Sequence, residues 1–162
     1  MRTLTGVEDH EHLGALVIRT DFDHPEVWSA VREALTRSVD GEPSRPLVVD
    51  DPAWAGASAD EIRQAVLAHE GLGETLSAAF VADRTTMRSP HHALLAVLTA
   101  GPEDFEDEED YAAAVEYGTE FRVVPAGAYE VHANLDIGNM GFEEYAEAAR
   151  DAPDGVLDWW GN

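Results

Sequence analysis

Short apolar runs alternate along this chain with stretches in which apolar residues recur every three or four positions. The runs at 15–18 (ALVI), 47–49 (LVV) and about 76–82 (ending AAFVA) are too short for helices, and their Val, Ile and Phe content suits buried strands. Between the first two, Val27, Ala30, Val31, Ala34 and Leu35 trace one helical stripe. Asp23, Pro25 and Glu26 open it, with Asp23 as N-cap and Glu26 completing a capping box. Between the second and third, Ser58 and Glu61 form another box ahead of Ile62, Ala65 and Val66, and Gly71 stops that helix. Strand, helix, strand, helix, strand predicts two right-handed crossovers and a parallel core with the first strand in the middle.

A fourth apolar run, 93–98, follows after only residues 84–92. A parallel crossover needs about a dozen residues or more, so an antiparallel strand at the sheet margin stands beside the parallel alternative. The antiparallel choice would return His91 and His92 to the edge that carries Asp83. A fifth strand is expected at 121–124, a helical turn or two at 129–135, and a last amphipathic helix on Phe142, Tyr145, Ala146 and Ala149. The predicted fold is one three-layer α/β domain over residues 1–162, with a mostly parallel, Rossmann-like or flavodoxin-like sheet of about five strands. Around it lie an acidic arm at 1–12, an acidic insert at 101–118 and a tail at 151–162 broken by Pro153 and Gly155.

Charge changes this picture most. The 162 residues hold 33 acids against 10 bases, a formal net charge of -23, and every base is arginine. Such a surface repels phosphates and anionic lipid, which argues against direct nucleic acid or membrane binding and favours a basic protein partner or cations. A solvated acidic surface that reflects genome composition or salt adaptation accounts for the same numbers. With no cysteine, thiol and thiolate-metal chemistry are excluded. The acid-rich first twelve residues and the short first apolar run suit neither a signal core nor a membrane span, so the expected location is cytoplasmic.

RTDF at 19–22, DDPAWAG at 50–56, VADRTT at 81–86, FRVVP at 121–125 and NLDIGNMGFEEYAEA at 134–148 together resemble a family of small actinobacterial proteins classed as a domain of unknown function. The resemblance runs from about Ala15 to Ala149 and implies a bacterial, intracellular, stand-alone domain. It carries no reaction and gives no residue a catalytic role. The acidic insert around 103–118 departs from the family pattern by its length.

Three apolar runs end in aspartate, so parallel strands would gather Asp21, Asp50, Asp51 and Asp83 at one sheet edge, where α/β folds place their sites. Converging carboxylates attract Mg²⁺ or another divalent cation, and Asp21, Asp50 and Asp83 are the candidate ligands. The layout is similar to bacterial receiver domains, but those carry a lysine before the proline that follows strand five, and here Val124 precedes Pro125. Aspartates at strand ends are also ordinary turn and cap residues. A candidate pocket at the same edge would use Asp51, Trp28, Trp54, Arg84 and His91. His24, His91 and His92 lack a spacing that fixes two imidazoles on one helical face, and surface histidines are the plain reading. No nucleophile elbow or phosphate loop is present.

Seven of the eight residues from Glu103 to Asp110 are acidic. They suit the positive end of the helix that Tyr111, Ala114 and Val115 continue. Trp159 and Trp160 are either a partner anchor or, more plainly, a tail folded back on its own domain. The expected function is a non-catalytic, immunity- or inhibitor-like interaction module that binds a basic protein through Glu106, Asp107, Glu108, Glu109, Trp159 and Trp160 and needs no cofactor. The alternative is a divalent-metal enzyme or sensor at Asp21, Asp50 and Asp83. Oligomeric state is not legible.

Overall fold

The computed structural model describes residues 15–36, 46–69 and 76–158. Strand β1 (Leu16–Arg19) leads through helix α1 (Pro25–Leu35) to β2 (Leu47–Val49), and α2 (Ala59–Ala68) leads from there to β3 (Ala78–Ala82). Both β2 and β3 pair with β1 in parallel, with Ile18 opposite Val49 and Val81. The expected parallel core is therefore present. Because the β1-to-β2 and β2-to-β3 crossovers run in opposite directions across the sheet, equal handedness places α1 and α2 on opposite faces.

Beyond β3 the sheet turns antiparallel. Helix α3 (Arg84–Arg88) and a tight turn are all that separate β3 from β4 (Leu94–Leu98), and β4 runs back along β3 with Phe80 opposite Ala96. The turn closes at His92, whose φ is +49°. β4 is not a margin strand, because β5 (Glu120–Val123) pairs antiparallel beyond it. A sixth strand, β6 (Val156–Leu157), then adds in parallel to β5. The described sheet is mixed, in the order β2-β1-β3-β4-β5-β6, and not mostly parallel with five strands. The sixth strand comes from the tail, where two residues are too few to show a period.

Three more helices complete the described chain: α4 (Glu108–Ala114), α5 (Ala128–Asp136) and α6 (Phe142–Asp151). Strand alternation splits the core in two. Val17, Phe80, Ala96 and Phe121 face a large cluster built with α1, α5 and α6, whereas Leu16, Ile18, Val81 and Val97 face a smaller one built with α2. In α6 the four residues of the sequence stripe, Phe142, Tyr145, Ala146 and Ala149, are all buried. The Ser58–Glu61 capping box opens α2 as expected. Asp23 does not cap α1. Its N–H donates to Asp21 Oδ1 at 2.8 Å, and this turn delays the helix until His24 becomes the N-cap and Pro25 the first helical residue.

Candidate functional site

Parallel pairing of β1, β2 and β3 brings Asp21, Asp50 and Asp83 to one rim, since each follows the last residue or two of its strand. Their side chains go to separate partners. Asp50 accepts from Arg19 at 3.1 Å and from the Trp28 indole N–H at 3.1 Å. Asp21 Oδ1 accepts from the Asp23 N–H and lies 3.3 Å from His24 Nδ1. Arg19 is 8% exposed, with its guanidinium over the Phe22 ring at 4.3 Å, and it also donates to the Asp21 carbonyl at 3.0 Å. That arginine knits the ends of β1 and β2 together.

Asp83 caps α3 and meets Arg122 in a two-point ion pair, with N···O distances of 2.8 and 2.9 Å. Burial pushes the Asp83 carboxyl up, but the Arg122 guanidinium and the N–H and hydroxyl of Thr86 together outweigh it and hold the group below its ordinary value of 3.8. Thr86, fully buried, also donates to the Ala93 carbonyl at 2.8 Å, so one cluster locks β3, α3, β4 and β5. Arg122 was not a sequence candidate. Only the antiparallel return of β4 sets β5 within its reach of Asp83.

A hollow of about 380 Å³ opens at this rim between Thr20, Asp21, Asp23, Gly56, Asp83 and Arg84. Gly56, at φ +75°, lets the chain after β2 double back so that its N–H reaches the Thr20 carbonyl at 2.9 Å. Asp50 does not line the hollow. The groups that answer the three aspartates are the chain's own: Arg19 on Asp50, Arg122 on Asp83, and the Asp23 N–H and the His24 ring on Asp21. Among the described residues no group of three His, Asp or Glu side chains is arranged to hold a metal ion.

The other pocket candidates disperse. Trp28 and Trp54 are 5% and 2% exposed and belong to the cores on opposite faces of the sheet, so they are not walls of one pocket. Asp51 caps the 3-10 turn Pro52–Trp54 by accepting from the Ala53 N–H at 2.9 Å. His91 does reach the rim's end of the sheet, as the antiparallel β4 requires, but its Nε2 pairs with Asp154 ahead of β6. His92 Nδ1 faces the Thr86 carbonyl. Of the candidates at the tail, Trp159 and Trp160 lie outside the described residues.

The acidic candidates stand at the opposite edge of the sheet. Asp107 caps α4 by accepting from the Asp110 N–H at 2.9 Å, and Glu108, Glu109 and Asp110 fill its first turn. All of residues 106–110 are exposed. Among the described residues no ion pair involves a carboxylate between 101 and 118, in contrast to the answered aspartates of the rim.

Beside this acidic run lies a groove of about 450 Å³. Its floor is apolar, formed by Leu98, Phe105, Ala114, Leu135, Met140 and Phe142, and Asp104, Glu106, Asp110 and Glu143 stand around it. Phe105 is held by edge-to-face packing on Tyr111, with ring centroids 5.5 Å apart. Ile137, in the turn between α5 and α6 whose Gly138 and Met140 line the groove, is 74% exposed. The charge is legible in the sequence and the groove is not, because four separate segments assemble it.

A family model for a domain of unknown function, DUF6924, matches residues 14–158. No curated protein matches the chain. Among the described residues, no helix is long and apolar enough to cross a membrane.

Proposed function

We propose a function for a chain that belongs to the DUF6924 family of domains of unknown function: it is a non-catalytic interaction module that engages a basic protein partner through the acidic edge at residues 103–116. One observation supports this reading above the others. The carboxylates at 106, 108, 109 and 110 are exposed and carry no ion pair among the described residues, while the aspartates at the far rim are already held by Arg19, His24 and Arg122. Unpaired charge on one edge of a chain with net charge -23 steers a cationic partner and selects it by complementarity. The cytoplasm is the proposed compartment, as the lack of cysteine suggests.

The test separates a local surface from overall acidity. Glu106→Gln, Glu108→Gln and Glu109→Gln together leave the Asp107 cap intact; Asp23→Asn, Glu26→Gln and Glu33→Gln remove the same charge from the α1 side. Captures from a cell lysate are compared by quantitative mass spectrometry. The first variant is expected to lose at least about tenfold of the basic proteins retained, a difference of about 1.4 kcal/mol, and the second to keep them. Equal losses in both variants would mean that net charge alone is at work.

A further inference from the structure

Resting on the reading of the acidic edge given above, we infer that the groove beside α4 is the partner's docking point and receives one large apolar side chain from a segment flanked by Arg or Lys. A purely electrostatic surface has no need of a concave apolar floor. Here Leu98 and Phe142 are each 3% exposed at the base of the groove, and Phe105, Leu135 and Met140 are half-buried around them. Its volume of about 450 Å³ lies within the usual range for ligand pockets, roughly 300–1,000 Å³.

The occupant's chemistry follows from what surrounds that floor. Asp104, Glu106, Asp110 and Glu143 supply negative charge around the opening, and the described residues lining the groove include no Arg, Lys or His. An acidic or phosphorylated segment would meet only repulsion there. A neutral apolar one would leave the rim unmatched. Basic residues on either side of a Leu, Phe or Met match both parts at once: the apolar side chain leaves water while the cations stay at the partly solvated rim, where like-charged competitors are rejected. Ile137, a large aliphatic residue 74% exposed, directly precedes Gly138, which lines the groove and whose φ of +74° fixes the turn, so an uncovered apolar side chain stands next to the groove along the chain.

Three synthetic peptides, RRLFRR, RRGSRR and EELFEE, serve as probes in fluorescence titrations of the whole chain. RRLFRR is expected to bind saturably, RRGSRR at least tenfold more weakly, and EELFEE not at all. Ala114→Trp, which fills the groove without altering charge, should weaken RRLFRR about tenfold and leave RRGSRR unchanged. Ile137→Ser, at a position too exposed to disturb folding, should weaken RRLFRR several-fold and guards against an Ala114→Trp chain that does not fold. If RRLFRR and RRGSRR bind equally and neither substitution matters, the groove is not the docking point, although the charge-based reading survives. If, in addition, neutralising Glu106, Glu108 and Glu109 leaves RRLFRR binding intact, the acidic-edge reading fails as well.

Discussion

Trp54→Ala should destabilise the chain by about 3–5 kcal/mol, the usual cost of truncating a large buried aromatic. Trp54 is 2% exposed and joins Ile18, Val49, Ile62, Val66 and Val81 in the smaller core. That core has one helix over it, α2, so few neighbours are free to close a cavity there. The 3-10 turn carrying the indole is fixed at both ends, by the Asp51 cap and by the Gly56 N–H on the Thr20 carbonyl, which further limits relaxation. Urea unfolding followed by far-ultraviolet circular dichroism measures the loss. A change under about 1 kcal/mol would fit a tryptophan at the margin of a pocket, and would contradict its place in the core.

Arg122→Met carries the second-largest expected effect, a loss of about 2–3 kcal/mol at neutral pH. Breaking a fully buried pair costs about 3–5 kcal/mol, and these two side chains are 23% and 25% exposed, so solvent reduces the figure. Methionine keeps the stem's packing, leaving Asp83 to face burial with only Thr86 for support. The effect depends on pH with a definite sign. Because the native Asp83 carboxyl titrates below 3.8, its contribution is whole at every pH above the unfolded value and is lost as the pH falls through the native one. The gap between parent and variant should therefore hold steady from pH 7 to about 5 and close below pH 4. A gap that persists unchanged at pH 3 would show that Arg122 acts through packing alone.

What the sequence made legible was local. β1, β2 and β3 are short apolar runs, α2 has its box at Ser58 and Glu61, and α6 has its stripe, so each declares itself within a dozen residues. Topology was legible in part: the short connection between β3 and β4 set an antiparallel return beside the parallel alternative, and β4 is antiparallel. Features that depend on partners far along the chain stayed hidden. Arg122 and Asp83 are 39 positions apart, and β6 is two residues that form a strand only because the edge of β5 is open to them. Asp23 misled for a nearer reason, since Asp21 takes its N–H first. At the site, the aspartate rim was visible as three strand ends, but its neutralisation by arginine was not. The acidic run was visible as charge, whereas the floor beside it draws on β4, α4, α5 and α6 together.

The edge of the sheet that meets a partner is what separates the acidic groove from the aspartate rim. A heteronuclear NMR titration of the ¹⁵N-labelled chain with the RRLFRR peptide asks this directly. The predicted result is a set of saturating amide shifts confined to Phe105, Asp110, Ala114, Ile137, Gly138 and Met140, with the opposite rim silent. Shifts centred on Thr20, Asp21, Gly56, Asp83 and Arg84 would contradict it, and so would weak, non-saturating shifts spread over every acidic face.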